Sequence, residues 1–383
     1  MKATTKKLNV LILPDLFPKD EKDWVGIFVV DYINAILPTC NPWVFYSRLV
    51  GANSTIKEAD FSNQFKVYRW SYKQQIKAVL KPFYYLLWFG KTVSQILSLN
   101  KEIDIIHAHG AILNGTVAYL LGKRLKVPYV ISEHTGPFTK ISNSFVKKRW
   151  AKFILNKANK VFAVSAHLKK EMVEMGINNL NIDVSFNPVD ASLFTAKPTT
   201  DTVNNILFVS RLEAFKGGLR TLKAFHKVAN NIKDWQLTIC GDGPEKAAII
   251  NYVKEFKLEN RVTIKGVLTK PEYVQELHQA SFLVFPSLHE SFGLIPVEAM
   301  ACGLPVITTN ATAMPEYMNK TNGILMDTAS VEEISEAMQD MVNRFSDYNS
   351  VAIRKEIIAR FGMENFGRML IDRYQKAIIN FTN

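Results

Sequence analysis

Residues 285–307 read FPSLHESFGLIPVEAMACGLPVI. An apolar run ends at Pro286, a loop carries Glu290, and Gly293 precedes a helical stretch that begins near Ile295 and Pro296. Proline suits a first helical turn, where its missing N–H forfeits no bond. A further apolar run, PVITT (305–309), closes the stretch. Strand, loop, helix and strand in that order form the repeating unit of a parallel sheet with crossover connections.

The same unit recurs on both sides. Upstream lie NILFVS (205–210), WQLTIC (235–240), RVTIKG (261–266) and FLVFP (282–286); beyond about 330 the pattern is helical. The first half repeats the alternation with LNVLIL (8–13), PWVFYS (42–47), QFKVYRW (64–70), DIIHAH (104–109), PYVISE (128–133) and KVFAVS (160–165). Between them run amphipathic stretches such as GTVAYLLGKRL and KKRWAKFILNKA. The polar AKPTTDTVNN (196–205) interrupts the pattern and reads as a linker. The expectation is two doubly wound α/β domains, 1–195 and 196–362. Ligands in such sheets sit beyond the carboxyl ends of the strands, near the reversal in strand order.

Three segments of the second half carry chemistry. In 285–307, Gly293 lets backbone approach a ligand, and the free N–H groups of a helix start favour phosphate. A carboxylate would repel that phosphate, so Glu290 and Glu298 read as acceptors for neutral sugar or ribose hydroxyls. Alternatively Glu298, placed in the first turn, complements the helix dipole. In FVSRLEAFKGGLRTLKAF (208–225), Arg211 and Lys216 precede a helix opened by Gly217 and Gly218. A guanidinium fork, an ammonium and a helix terminus can offset much of a diphosphate's charge without a metal. TICGDGPEKAAI (238–249) is a partial glycine fingerprint. Its third glycine is missing and Pro244 starts the helix, so Gly241 suits a loop passing a base or ribose.

The first half is looser. Gly26 in WVGIFVVDYINAIL (24–37) opens a helix. His109 ends a strand, with His107 deeper on the same face as a core histidine. Glu133 and His134 in SEHTGPF (132–138) end the neighbouring strand. Asp-x-Asp, His-Glu-x-x-His, Cys-x-x-Cys and a Walker loop are all missing, which removes the parts for zinc hydrolysis or P-loop phosphoryl transfer. Neither a metal nor a cofactor is expected.

Charge is unevenly placed. Residues 1–195 hold 26 Lys and Arg against 14 Asp and Glu, and the remainder holds 21 against 21, so the net +12 lies in the first half. That points to an anionic partner, either a membrane surface or a phosphorylated acceptor. Lys73, Lys77 and Lys81 before FYYLLWF (83–89), and Lys147, Lys148, Arg149 and Lys152 around Trp150, are the local candidates. No run approaches the roughly 18 residues of a membrane span. The opening MKATTKKLNVLILP reads as a first strand rather than a leader. Three scattered cysteines suit a reducing cytoplasm.

Taken in order, Arg211 with Lys216-Gly217, then GDGPE (241–245), then Glu290-SFGLIPV-Glu298 before AMACGLPVI strongly resembles glycosyltransferase family four. VSAHLKKEMVEMG (164–176), SFNPVDASLF (185–194) and NGILM (322–326) extend the resemblance over nearly the whole chain. It implies the GT-B fold, two Rossmann-like domains facing across a cleft, and a retaining, metal-independent hexosyltransferase. The donor would be a UDP- or GDP-linked sugar and the acceptor a sugar or lipid-linked sugar, with no nucleic acid partner. Cell-surface polysaccharide or glycolipid assembly in bacteria is the implied setting; the scattered cysteines and the basic first half add the expectation of a cytoplasmic place, peripheral at the inner face of the plasma membrane.

By residue, the resemblance implies that Arg211 and Lys216 bind the diphosphate, Glu298 the ribose and Glu290 the transferred sugar, with the Gly293 and Leu294 backbone nearby. Gly26 would close over the diphosphate and His109 would lie beside the reacting sugar; His134, from its own strand-end position, is expected on the acceptor side. The last helix, 363–383, would pack back on the first domain. The chain departs from the family in its single Gly26 and in ATAMPEYM (311–318), where Glu316 is given no role. Two rivals share the plan: a nucleotide-sugar epimerase, and a non-catalytic nucleotide-sugar binding protein.

Overall fold

The computed structural model describes residues 6–20, 23, 25–48, 56–61, 63–71, 81–136, 138, 144–197 and 204–382, without the side chains of 81–84 and 179. The chain divides into two compact units, Met1–Pro188 with Met363–Asn383, and Val189–Gly362.

The first unit is built on β1 (Leu8–Pro14), β2 (Cys40–Arg48), β3 (Lys57–Phe61), β4 (Phe65–Ser71), β5 (Ile105–His109), β6 (Tyr129–Glu133), β7 (Lys160–Ala163) and β8 (Ile182–Val184). Their order is β3-β4-β2-β1-β5-β6-β7-β8. All neighbours are parallel except β3 and β4. Helices α1 (Ile27–Ile36), α2 (Lys81–Ser98), α3 (Leu113–Leu125), α4 (Phe145–Lys157) and α5 (Ala166–Glu174) connect them. Two of these start on serine caps: Ser144 accepts from Lys147 N–H and Ser165 from Leu168 N–H.

The second unit has β9 (Asn205–Val209), β10 (Gln236–Cys240), β11 (Val262–Lys265), β12 (Phe282–Phe285), β13 (Val306–Thr309) and β14 (Gly323–Met326). The sheet is wholly parallel, in the order β11-β10-β9-β12-β13-β14. Its helices are α6 (Gly218–Val228), α7 (Lys246–Glu255), α8 (Lys270–Gln279), α9 (Leu294–Ala301), α10 (Val331–Asn343) and α11 (Ser350–Phe361). Both sheets reverse direction once, at β1/β5 and at β9/β12, the doubly wound arrangement expected from the alternation.

The last helix, α12 (Met363–Thr382), belongs to the first unit, against α1. Gly367 makes that approach feasible, since a Cβ there would fall 2.1 Å from the Ala35 carbonyl oxygen. Phe366, Leu370, Tyr374 and Ala377 fill the groove alongside Tyr32 and Ile36. Each large side chain so buried contributes about 1.5–3 kcal/mol.

Three details differ from the sequence reading. The division falls after Pro188 rather than 195, because 189–194 is tied to the second unit. Val189 N–H donates to Phe361 O at 2.8 Å, and the Arg354 guanidinium donates to Ala191 O and Phe194 O. Helix α9 starts at Leu294, which puts Glu298 beyond the first turn and weakens the dipole explanation for it. Pro244 lies ahead of α7, whose N-cap is Glu245.

Candidate active site

In the second unit, β9 and β12 lie side by side, so the loops that follow them meet. Leu288 N–H donates to Phe215 O at 2.9 Å, and the Arg220 guanidinium bridges Ala214 O and Pro286 O at 2.7 and 3.1 Å. Gly217 caps α6 with φ +86°, and a Cβ there would sit 2.8 Å from the Pro286 ring. A larger residue would force the two loops apart.

That junction brings Lys216 and Glu290 into an ion pair, with side chains only 12% and 14% exposed. The ammonium also lies over the Phe215 and Phe285 rings, 5.1 and 5.8 Å from their centroids. Glu290 N–H donates to Thr312 Oγ1 at 3.0 Å. Arg211 is different: 69% exposed, it pairs with Glu213 at 2.7 Å. Glu298 is buried and accepts from the Tyr273 hydroxyl at 3.0 Å. Burial first, and the Glu298 charge second, push that phenol far above its ordinary range, so it stays a donor. Gly293 caps α9, and its carbonyl accepts from the Tyr317 hydroxyl at 3.4 Å. Gly241 directly follows β10, and next to it Asp242 pairs with Lys246 at 2.8 Å. Cations, two helix starts and hydroxyl-accepting carboxylates can together hold a diphosphate and a polyol.

The first unit's strand ends hold histidines instead. His107, His109 and His134 stack, with centroids 4.5 Å apart for the first pair and 5.1 Å for the second. His109 Nδ1 and His134 Nε2 share one proton at 2.9 Å. His107 is satisfied on both nitrogens, by Tyr374 at 2.5 Å and Ser132 at 2.8 Å, the core role expected of it. Burial lowers His107 and His134 to about 3 and His109 well below its usual value, so the stack is neutral near pH 7. His109 is buried, with Nε2 unpartnered, while His134 is half-buried against Phe28, 4.3 Å between centroids. Glu133 holds both loops in place, accepting from the N–H groups of Ala111, His134 and Thr135 at 2.9, 3.1 and 2.9 Å. Burial outweighs those bonds, and its carboxyl is raised. Gly26 caps α1 with φ +75°. Among the described residues no group of three or more His, Cys, Asp or Glu is placed to hold a metal ion.

Two family descriptions match consecutive parts of the chain: "Glycosyltransferase Family 4" over residues 62–193 and "Glycosyl transferases group 1" over 192–352. The chain belongs to glycosyltransferase family four. Their junction at 192–193 falls close to the boundary between this glycosyltransferase's two units. Among its relatives, the N-acetyl-alpha-D-glucosaminyl L-malate synthase of Bacillus anthracis is 30% identical over 57% of this chain and 59% of its own. The 2-deoxystreptamine N-acetyl-D-glucosaminyltransferase of Niallia circulans is 26% identical over 72% and 77%. Among solved structures, HepE of Anabaena in complex with UDP is similar in fold, with TM-score 0.76 and 17% identity over 96% of this chain and 100% of that one.

Some residues at the two strand-end sites escape a sequence reading of the glycosyltransferase. Tyr273 and Thr312 reach Glu298 and Glu290 from neighbouring elements. Asp15, just after β1, accepts from the Asn114 amide at 2.6 Å. Desolvation, then the Glu133 charge, pushes Asp15 up to about 7 against Asn114's pull, and solvent access to the side chain moderates that push.

Proposed function

We propose that this glycosyltransferase moves a hexosyl group from a UDP- or GDP-linked donor to a sugar or lipid-linked sugar acceptor, with retention and without a divalent metal. The observation that carries the reading is the Lys216–Glu290 pair at the junction of the β9 and β12 loops. Both groups are desolvated there, beside the glycine-capped starts of α6 and α9. An incoming diphosphate takes over Lys216, and Arg211 turns from Glu213 to the same phosphates. Glu290 is thereby released to accept from a hydroxyl of the transferred sugar, near the Gly293 and Leu294 backbone. Glu298, already oriented by Tyr273, accepts from the ribose, and Gly241 leaves room for the nucleoside. In the first unit, the start of α1 at Gly26 offers N–H groups to an anion. His109 serves the reacting sugar and His134 the acceptor.

The departing diphosphate takes the acceptor proton on the face it leaves, while the cations stabilise its growing charge. UDP in the HepE structure supports UDP donors as the first to test. The lipopolysaccharide 1,6-galactosyltransferase of Salmonella typhimurium, 27% identical over 56% of this chain, supports a cell-surface glycan as the product. The setting we assign is cytoplasmic, at the inner face of a plasma membrane. No described helix is long and apolar enough to cross a membrane, and all three cysteines are free and buried.

The test is incubation with UDP- and GDP-sugars and lipid-linked acceptors, followed by mass spectrometry and NMR. An α-linked donor gives an α-linked product at a rate unchanged by excess EDTA. A β-linked product overturns retention. Abolition by chelator with rescue by magnesium or manganese overturns metal independence.

A further inference from the structure

Helices α2, α3 and α4 form one layer of the first unit, α2 against α3 and α3 against α4. The Trp150 indole donates to Thr116 at 2.9 Å, and Tyr119 meets Phe153 edge-on at 5.4 Å. None of the three helices contains an Asp or Glu. Their exposed cations include Lys123, Arg124, Lys147, Lys148, Arg149 and Lys152. This is local: α12, in the same unit, carries Glu364 and pairs Asp372 with Lys376.

The same layer exposes large apolar side chains. Phe145 is 78% exposed, Val146 74% and Leu86 69%. Phe145 and Val146 open α4. Helices of a parallel sheet run back against the strands, so this opening turn lies at the strand carboxyl ends, the end that holds His109 and His134. The aromatic run 83–89 divides within itself. Trp88 and Phe89 are core, whereas Leu86 and Leu87 face out. Lys73 and Lys77, and the side chain of Lys81, lie outside the described residues.

We infer that the α2–α3–α4 face docks on an anionic lipid bilayer, with Phe145 and Val146 entering the headgroup region and the surrounding cations engaging lipid phosphates. Apolar tips ringed by long basic side chains fit an interface that is oily below and negative above. The inference takes its purpose from the lipid-linked acceptor proposed above, but binding is measured without it. Each engaged cation raises partitioning by about fivefold.

The experiment is flotation of the full chain with vesicles of phosphatidylcholine alone or with phosphatidylglycerol, at low and high salt. The protein floats only with the anionic vesicles, and high salt releases it. The triple variant K147Q/K148Q/R149Q lowers partitioning by about 100-fold. F145S/V146S lowers it at unchanged net charge. K6Q/K7Q/K57Q, with the same charge loss elsewhere in the first unit, leaves it unchanged. Circular dichroism and a thermal melt report that each variant is folded, and UDP binding in solution tests the donor site separately. Failure to float at low salt overturns docking, as does equal binding to neutral vesicles. An equal loss in the K6Q/K7Q/K57Q control also overturns it, by showing that net charge acts rather than this face. Transfer to a soluble acceptor then stands or falls independently.

Discussion

The two units place opposite kinds of chemistry at equivalent positions of similar sheets. At β9/β12 the side chains are ionised and paired; at β1/β5 and β6 they are stacked, neutral imidazoles over a buried carboxylate anchor. A charged ligand such as a diphosphate needs fixed counter-charge, which in the function proposed above comes from Lys216 and Arg211. A sugar ring or hydroxyl needs directional but uncharged partners, and burial keeps the histidines in that form. The shared strand order positions a ligand, and the loop residues decide its charge.

The sharpest break in that comparison is Lys216→Ala. It removes the buried cation proposed to bind the diphosphate and leaves Glu290 desolvated and unpaired. Two charge-assisted bonds of about 1.5–3 kcal/mol each predict a loss in kcat/KM of about 100-fold or more. Arg211→Ala, at an exposed position, loses roughly tenfold because solvent replaces part of the guanidinium. Steady-state kinetics and UDP calorimetry on both variants check the order; equal losses would erase the contrast between sealed and open cations.

Next comes His109→Phe, which preserves the stack but removes the shared proton and the unpartnered Nε2. Transfer falls about tenfold, the size of one hydrogen bond to substrate, while the UDP dissociation constant stays at its wild-type value. A changed UDP affinity would show that the histidine array serves donor nucleotide binding as well.

The smallest effect is on stability. The folded values of His107 and His134, about 3, lie below the unfolded 6.5, so below pH 6.5 the unfolded chain binds protons that the native chain refuses. Stability is therefore complete above about 6.5 and falls toward pH 3. Asp15, raised to about 7, acts in the opposite sense and offsets part of the fall. Thermal melts at pH 8 and pH 5 differ by roughly 5–10 °C, and the slope flattens in His107→Asn. An unchanged slope in that variant would assign the acid sensitivity elsewhere.

What the sequence made legible follows distance along the chain. The buried strands announce themselves as apolar runs, and β1, β5, β6, β9, β10, β12 and β13 lie where those runs are. Strand β3 (KEADF) is largely exposed and pairs antiparallel at the sheet edge, so no apolar run marks it. Strand β8 (IDV) is missed because three residues are too few to form an apolar run. Arg211, Lys216, Glu290 and Glu298 stand in local strand–loop–helix motifs. Their supports do not: Thr312 is 22 residues from Glu290, and Tyr273 is 25 from Glu298. Tyr374, the partner of His107, is 267 residues away. Such pairings are products of tertiary folding and leave no periodicity to read.

The placement of α12 also sets an order of events during synthesis. The second unit is one continuous segment, whereas the first is interrupted by all of it. A ribosome that has finished residue 188 must still produce 189–362 before Gly367 can seat against Ala35 and Tyr374 can reach His107. At about 5–20 residues per second that delay is roughly 10–35 s. Throughout it the groove that α12 fills beside α1 stays open and apolar.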